Sequence, residues 1–77
     1  MNMTPTEMKV LLAASRCHAV PVYRDGESAP YGYDLKGPRG NKEFAAVDRD
    51  GNVSEFNIRL WLDCINYGDR RAAHRHG

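Results

Sequence analysis

Three turn-forming segments divide the middle of the chain into pieces too short for helices. The Asp25-Gly26 pair and residues 49–52 favour positive φ, and residues 36–41 combine two glycines with a proline. The β-prone segments around these turns are 19–24, 29–35 and 42–48. Consecutive short strands pair most simply as an antiparallel meander. Pro21 lacks an amide donor, which predicts an edge position for the first strand.

A helix-start signal precedes this predicted sheet. Thr4 and Glu7 have the spacing of a capping box, and Pro5 stands at the first helical position. Met3 and Met8 occupy the two positions of a hydrophobic staple. The residues at i, i+3, i+4 and i+7 are Met8, Leu11, Leu12 and Ser15. The spacing predicts a helix over residues 5–16.

The segment after the sheet has two competing patterns. A strand over 55–66 would alternate apolar and polar positions, through Phe56, Ile58, Leu60 and Leu62. A helix would instead group Ile58, Trp61, Leu62 and Ile65 at i, i+3, i+4 and i+7. Ser54 is a suitable helix cap and Gly68 a suitable terminator, so we prefer the helix and keep the strand as the alternative.

These elements predict an α+β fold in the order αβββα, with both helices on one face of a three-stranded antiparallel sheet. A chain of 77 residues supports one small core, without a second domain or a deep substrate cavity. We expect a single domain at 1–68, followed by a basic, flexible and disordered tail at 69–77.

Charge is distributed unevenly between these two parts. The net charge is +1, but residues 70–77 hold three arginines and no acid. Residues 1–69 therefore have eight basic and ten acidic residues, a net charge of −2. A dedicated nucleic-acid-binding domain usually has a basic stripe across its folded surface, which this distribution does not predict.

Potential metal ligands are present without the spacing of a metal site. They are Cys17, His18, Cys64, His74 and His76. Structural zinc sites use close pairs such as Cys-x2-4-Cys, and the adjacent Cys17-His18 pair does not fit. The residues from Asp48 resemble the start of a calcium loop, but Val53 and Arg59 stand where that loop needs glycine and glutamate. We expect no metal and no cofactor.

No motif for catalysis is apparent in the sequence. On a helix end the side chains of Cys17 and His18 would point about 100° apart, so the histidine could not activate the thiol. There is no Gly-x-Ser-x-Gly motif and no glycine-rich phosphate loop ahead of a helix. We therefore expect a protein that is not an enzyme.

The compartment is predicted from the apolar runs and the cysteines. No run approaches 18 apolar residues, and no signal-peptide pattern is visible at the amino terminus. Two cysteines are too few for a disulfide scaffold, which favours reduced thiols, although one Cys17–Cys64 bridge stays geometrically open. These features predict a cytoplasmic protein without a membrane segment.

The candidate functional surface combines tyrosines with the basic loop. Its residues are Tyr31, Tyr33, Lys36, Arg39 and Lys42. Because strand side chains alternate, Tyr31 and Tyr33 are expected to share one face. They would either anchor a partner or belong to the core, and basic residues beside aromatic rings also suit single-stranded nucleic acid.

What remains is a small module that acts by presenting a surface. We expect a protein-binding module that inhibits or modulates a larger protein machine, of the type encoded by phages and mobile elements. The alternative is a nucleic-acid-binding module that uses loop 36–42 and the carboxyl-terminal tail. The broad apolar stripe around Trp61 and Tyr67 predicts either a monomer with an exposed aromatic patch or a homodimer.

Overall fold

A computed structural model of the protein describes residues 1–75, with side chains described for residues 1–67. The elements are β1 (Asn2–Met3), α1 (Pro5–Ala13), β2 (His18–Val22), β3 (Gly32–Lys36), β4 (Lys42–Ala46), β5 (Val53–Ser54) and α2 (Glu55–Arg75). The predicted α+β class, with one helix before and one helix after a three-stranded antiparallel sheet along the chain, is confirmed.

The three longer strands pair in chain order, β2-β3-β4, with antiparallel neighbours. Pro21 lies on the edge strand β2 opposite Tyr33, as its missing amide donor predicts. The strands are shorter than the sequence patterns suggest, and β3 begins at Gly32 rather than at residue 29. Pro30 does not donate to a ladder, so pairing starts beyond it.

Both helices pack on one face of this sheet, where the core forms. The buried apolar side chains are Met3, Met8, Leu12, Cys17, Tyr33, Leu35, Val53, Ile58, Leu62 and Ile65. The central strand β3 contributes alternate residues to this core, since Tyr33 and Leu35 are buried while Asp34 between them is exposed. No buried side chain among residues 1–67 is charged or polar.

A second, two-stranded sheet joins the amino terminus to the start of α2. Met3 in β1 pairs with Val53 in β5, and the Glu55 amide donates to the carbonyl of Met1 at 3.1 Å. These two strands were not predicted from the sequence, because two residues are too few to show a period. Their effect is to place Met3 and Val53 in the core.

Helix α1 begins as predicted and ends earlier. The Glu7 amide donates to Thr4 Oγ1 at 3.2 Å, and the Thr4 amide donates to Glu7 Oε1 at 3.1 Å. The predicted capping box is therefore confirmed. The helix stops at Ala13 rather than at Arg16, because Arg16 adopts a left-handed conformation with φ of 58°.

Helix α2 settles the ambiguity of the last segment in favour of a helix. Ser54 acts as predicted, since its Oγ accepts a hydrogen bond from the Asn57 amide at 3.2 Å. The predicted end at Gly68 is wrong, because the helix continues to Arg75. A glycine inside a helix costs only about 1 kcal/mol relative to alanine, so the arginines and alanines that follow can continue it.

The prediction of a domain at 1–68 with a separate flexible tail at 69–77 stays a prediction. The backbone as far as Arg75 is helical. The side chains from residue 68 onward and the last two residues lie outside the described part of the chain.

Candidate functional site

The outer face of the three-stranded sheet, opposite the helices, is uncovered in the described structure. Antiparallel pairing places directly opposed residues on the same side of a sheet, so the register arranges this outer face in three rows. From one end to the other, the rows are His18–Lys36–Lys42, Val20–Asp34–Phe44 and Val22–Gly32–Ala46. The face therefore has a basic end and an apolar end.

The basic end brings like charges together. Lys36 and Lys42 are directly opposed across β3 and β4, and His18 lies beside Lys36 on β2. Neither lysine side chain forms an ion pair or hydrogen bond with any described residue. Like charges directly opposite each other destabilise a sheet, so this row favours an anionic ligand or partner.

The apolar end is organised around Phe44. Its side chain is 43% exposed, and its ring lies against Gly32, where the lack of a β-carbon leaves room for it. The ring of Tyr31 lies 5.6 Å from that of Phe44, centroid to centroid, and the guanidinium of Arg24 lies 4.7 Å above the Tyr31 ring. Val20 on the edge strand extends this apolar surface.

An acidic residue occupies the centre of the outer face. Asp34 lies between Val20 and Phe44 in the middle row and is exposed. Its carboxylate is close to the basic row but has no hydrogen bond or ion pair with a described residue. The centre of the face can therefore accept a hydrogen bond from a bound partner.

The two predicted tyrosines do not share a face. Tyr33 is 6% exposed and belongs to the core, which was the alternative kept open for it. Tyr31 precedes β3 and lies beside Phe44. The expectation of a common face is wrong. The Tyr31 amide donates to the Val22 carbonyl at 2.9 Å and its carbonyl accepts from the Val47 amide at 3.2 Å, yet its ring lies beside the exposed ring of Phe44 and not in the core.

The predicted basic residues lie at the other end of the face. Lys36 ends β3, Lys42 begins β4, and Arg39 lies in the connecting loop. The Gly37 amide closes this loop by donating to the carbonyl of Asn41 at 2.8 Å. The structure thus brings Lys36 and Lys42 together in the basic row and separates them from Tyr31 by the length of the sheet.

Three residues of the outer face were not among those predicted for the candidate site, namely Phe44, Val20 and Arg24. A signal for Phe44 was present, because Asp34 is unsuited to a core and marks the outer side of its strand. An antiparallel register that opposes Phe44 to Asp34 exposes that ring. Nothing local predicts the position of Arg24, whose contact with Tyr31 crosses from the end of one strand to the start of another.

Asp48, considered above as a possible calcium ligand, instead organises a turn. Its Oδ1 accepts hydrogen bonds from the amides of Asp50 and Asn52 at 2.8 and 3.0 Å, and its Oδ2 accepts one from the side chain of Asn2. The Asn52 amide, followed by the Asn2 side chain, lowers the pKa of the Asp48 carboxyl. Among the described residues, no group of three or more His, Cys, Asp or Glu side chains could hold a metal ion.

The two cysteines are not joined by a disulfide. Cys17 is buried in the core, and its Sγ lies 3.4 Å from the Ser15 carbonyl oxygen, whereas Cys64 is exposed on α2. The bridge that the sequence analysis left open is therefore absent between these two residues. Neither helix, over the residues that the structure describes, is long and apolar enough to cross a membrane.

Several shallow depressions mark the surface. One of about 380 Å³ lies between α1 and α2, one of about 310 Å³ is lined by Met1 and the first turns of α2, and one of about 220 Å³ lies between β4 and the start of α2. The fourth, of about 350 Å³, lies on the outer face itself and is lined by Asp34, Lys36, Lys42 and Phe44 together with Leu35 and Glu43. None of these four brings a histidine or a cysteine next to a carboxylate. The outer face, which combines a depression with exposed apolar and basic side chains, is therefore the stronger candidate site.

No protein-family profile, curated protein or solved structure matches the chain.

Proposed function

We propose that this chain is a non-enzymatic interaction module that binds a protein partner through the outer face of its sheet. By occupying the partner's surface, it would inhibit or modulate a larger protein machine. The observation that carries the proposal is the outer face itself, which is uncovered and joins exposed apolar side chains to an unpaired basic row. A three-stranded sheet covered on one side only leaves its other side wet or paired.

The apolar end supports the proposal because its rings are held in place before binding. Gly32 seats the Phe44 ring, and Arg24 stacks on Tyr31. Side chains already fixed in position lose little conformational freedom when a partner covers them. Aromatic residues and arginine are the types that dominate the energetics of protein interfaces. We therefore assign the anchoring role to Phe44, with Tyr31 and Val20 beside it.

The basic row indicates the chemistry of the partner. An acidic group placed between Lys36 and Lys42 would relieve their repulsion across the strands. The partner surface that fits this face has an apolar region opposite Phe44, a hydrogen-bond donor opposite Asp34 and an acidic group opposite the two lysines. Such charge complementarity accelerates association and fixes orientation more than it adds affinity.

Nucleic acid is the second candidate, because an exposed ring stands next to the basic row. Single-stranded nucleic acid binds through bases stacked on rings and phosphates on cations. The exposed carboxylate of Asp34 lies between the ring and the lysines, along the path that a phosphate backbone would follow. Its negative charge repels a phosphate backbone that passes it, whereas a protein can place an acidic group at the two lysines alone, which makes a protein partner the better fit.

Affinity capture with matched variants tests the proposal. Tagged wild-type protein and the tagged Phe44→Ala variant each serve as bait at concentrations below about 1 μM. The captured proteins are identified by mass spectrometry, and the affinity of each bait for each captured protein is then measured by titration. The control is Phe56→Ala, which removes the same side chain from an exposed site on α2. Loss of an interface anchor costs about 2 kcal/mol, so we expect Phe44→Ala to weaken binding about 30-fold while Phe56→Ala binds like wild type.

A second variant and a nucleic-acid arm complete the design. Lys36→Ala combined with Lys42→Ala should slow association with the same partner, and more strongly at low salt. Partner binding that survives both the Phe44 and the lysine changes overturns the proposal. Tight binding of single-stranded oligonucleotides, with a steep inverse dependence on salt, would replace the protein partner by nucleic acid.

A further inference from the structure

Helix α2 has a second apolar stripe on the side that faces away from the core. Phe56, Leu60 and Tyr67 are 69%, 53% and 60% exposed. Each stands two positions from a buried residue of the same helix, either Ile58 or Ile65. Two residues turn an α-helix by about 200°, so the exposed stripe lies opposite the buried one. A helix that is apolar on both sides normally has both sides covered.

The spacing of this outer stripe is that of a helix-pairing seam. The intervals from Phe56 to Leu60, Asp63 and Tyr67 are four, three and four residues, which is the alternation of a and d positions in a heptad. The stripe is also nearly symmetric about the point midway between Leu60 and Asp63. We propose that it pairs with the same stripe of a second copy of this chain, antiparallel and related by a two-fold axis at that point.

The shape of the surface supports a second copy as the occupant. In this arrangement Tyr67 of one copy lies against Phe56 of the other. Beside Phe56 there is a depression of about 310 Å³, whose apolar walls are Met1, Phe56 and Leu60. The exposed ring of Tyr67 provides the projection for this depression, and the two-fold axis creates the same contact twice. One surface therefore carries both halves of a self-complementary interface.

The charges in and beside the stripe fit the same arrangement. Asp63 stands in the stripe, Arg59 flanks it one turn earlier on the same side of α2, and Arg59 Nε donates to Glu55 Oε2 at 3.0 Å. Asp63 has no hydrogen bond or ion pair with a described residue of its own chain. A two-fold axis in the plane of the interface keeps this flank on the same side in both copies. Arg59 of each copy then lies near Asp63 of the other.

The area of the stripe sets the strength of the dimer. The exposed parts of Phe56, Leu60, Tyr67 and Met1 amount to roughly 500–600 Å² per copy, within the range of functional patches on small proteins. The dimer would bury about 1,000 Å² in total, which is below the size of most stable interfaces. It is therefore a weak dimer that forms between about 10 μM and 1 mM.

Sedimentation equilibrium over that range of concentration tests the inference. The wild-type mass should rise from 8.7 kDa towards twice that value. Leu60→Lys should raise the dissociation constant at least tenfold, while Val20→Lys, an equivalent change at an exposed residue of the sheet, leaves it unchanged. Circular dichroism verifies that both variants are folded. A mass of 8.7 kDa at all wild-type concentrations overturns the dimer, and loss of the dimer in Val20→Lys moves it to the sheet.

A charge exchange tests the antiparallel arrangement. Arg59→Asp and Asp63→Arg should each weaken the dimer, because each places like charges together across the axis. The double variant restores opposite charges and should recover most of the wild-type dissociation constant. A double variant that dimerises no better than the single ones overturns the proposed register. Partner capture through the sheet is measured below the dimerising concentration, so either proposal can fail without the other.

Discussion

The ring of Phe44 lies so close to Gly32 that a β-carbon on the glycine would stand 2.2 Å from Phe44 Cζ. The same β-carbon would stand 2.9 Å from the carbonyl oxygen of Ala45. Gly32 is thus the one position of the middle strand that lets an aromatic ring lie across the sheet. The apolar end of the outer face depends on this contact.

Gly32→Ala should therefore destabilise the protein and displace the Phe44 ring. Overpacking of this kind costs about 1–3 kcal/mol, and the rigid carbonyl of Ala45 prevents the backbone from making room. Urea denaturation measures the free energy of unfolding. The double variant with Phe44→Ala should recover part of the loss, because only the ring clash is removed. A Gly32→Ala protein as stable as wild type would contradict the close contact.

The two tyrosines should respond differently to truncation. Tyr33→Ala leaves a cavity in the core, where large-to-small aromatic changes cost about 3–5 kcal/mol. Tyr31→Ala removes a half-buried ring outside the core and its contact with Arg24, and should cost about 1 kcal/mol. Thermal and urea denaturation compare the two. Equal losses would show that both rings are core residues.

Arg16→Gly should stabilise the protein. Arg16 terminates α1 with a φ of 58°, which a side chain with a β-carbon adopts at a cost of about 1–2 kcal/mol. Glycine adopts this conformation without strain, but it also gives the unfolded chain more conformational entropy, which offsets part of the effect. We therefore expect the free energy of unfolding to rise by about 0.5–1 kcal/mol.

The matched control for that change is Ala14→Gly. Ala14 has right-handed helical geometry with φ of −61°, so glycine there should destabilise by about 0.5–1 kcal/mol. Opposite signs in the two measured free energies of unfolding confirm the left-handed geometry of residue 16. Two destabilising results would contradict it.

Acid should weaken the fold through Asp48 and Glu7. The Asn52 amide lowers the pKa of Asp48, and the Thr4 amide lowers the pKa of Glu7. A lowered pKa in the folded state gives stability that is complete above the unfolded values of about 4 and is lost as pH falls through the folded ones. The Tm of wild type should therefore fall below about pH 4.

Two variants test whether the loss of thermal stability in acid comes from the carboxylates of Asp48 and Glu7. Asp48→Asn and Glu7→Gln should have a lower Tm than wild type at pH 7, and the gap should narrow as the solution approaches pH 3. Asp25→Asn is the control, since Asp25 is exposed and has no hydrogen bond among the described side chains. A gap that stays constant with pH for Asp48→Asn would show that its carboxylate does not hold the turn.

Features that depend on neighbours in the chain could be predicted from the sequence alone. The capping box between Thr4 and Glu7, the cap at Ser54 and the edge position of Pro21 follow from which groups can donate or accept a hydrogen bond within a few residues. These local rules were enough to predict the order of the main elements.

The segment 55–66 was ambiguous between helix and strand for a physical reason. Phe56 and Leu60 are apolar although they point away from the core, so the segment alternates like a strand while its buried residues repeat like a helix. Periodicity assumes that one side of an element is polar. An apolar stripe on the outside violates that assumption, and only packing of Ile58, Leu62 and Ile65 on the core decides the outcome.

The candidate site depended on the tertiary structure, because register and faces are set between strands and not within them. Lys36 stands opposite Lys42, and Phe44 stands opposite Asp34. Both oppositions arise because β3 and β4, which a loop separates in the sequence, pair with each other. The same pairing buries Tyr33 and leaves Tyr31 outside, although the two are neighbours in the sequence. Local composition therefore determined the elements and the kind of residues at the surface, while the pairing of strands decided which of those residues meet.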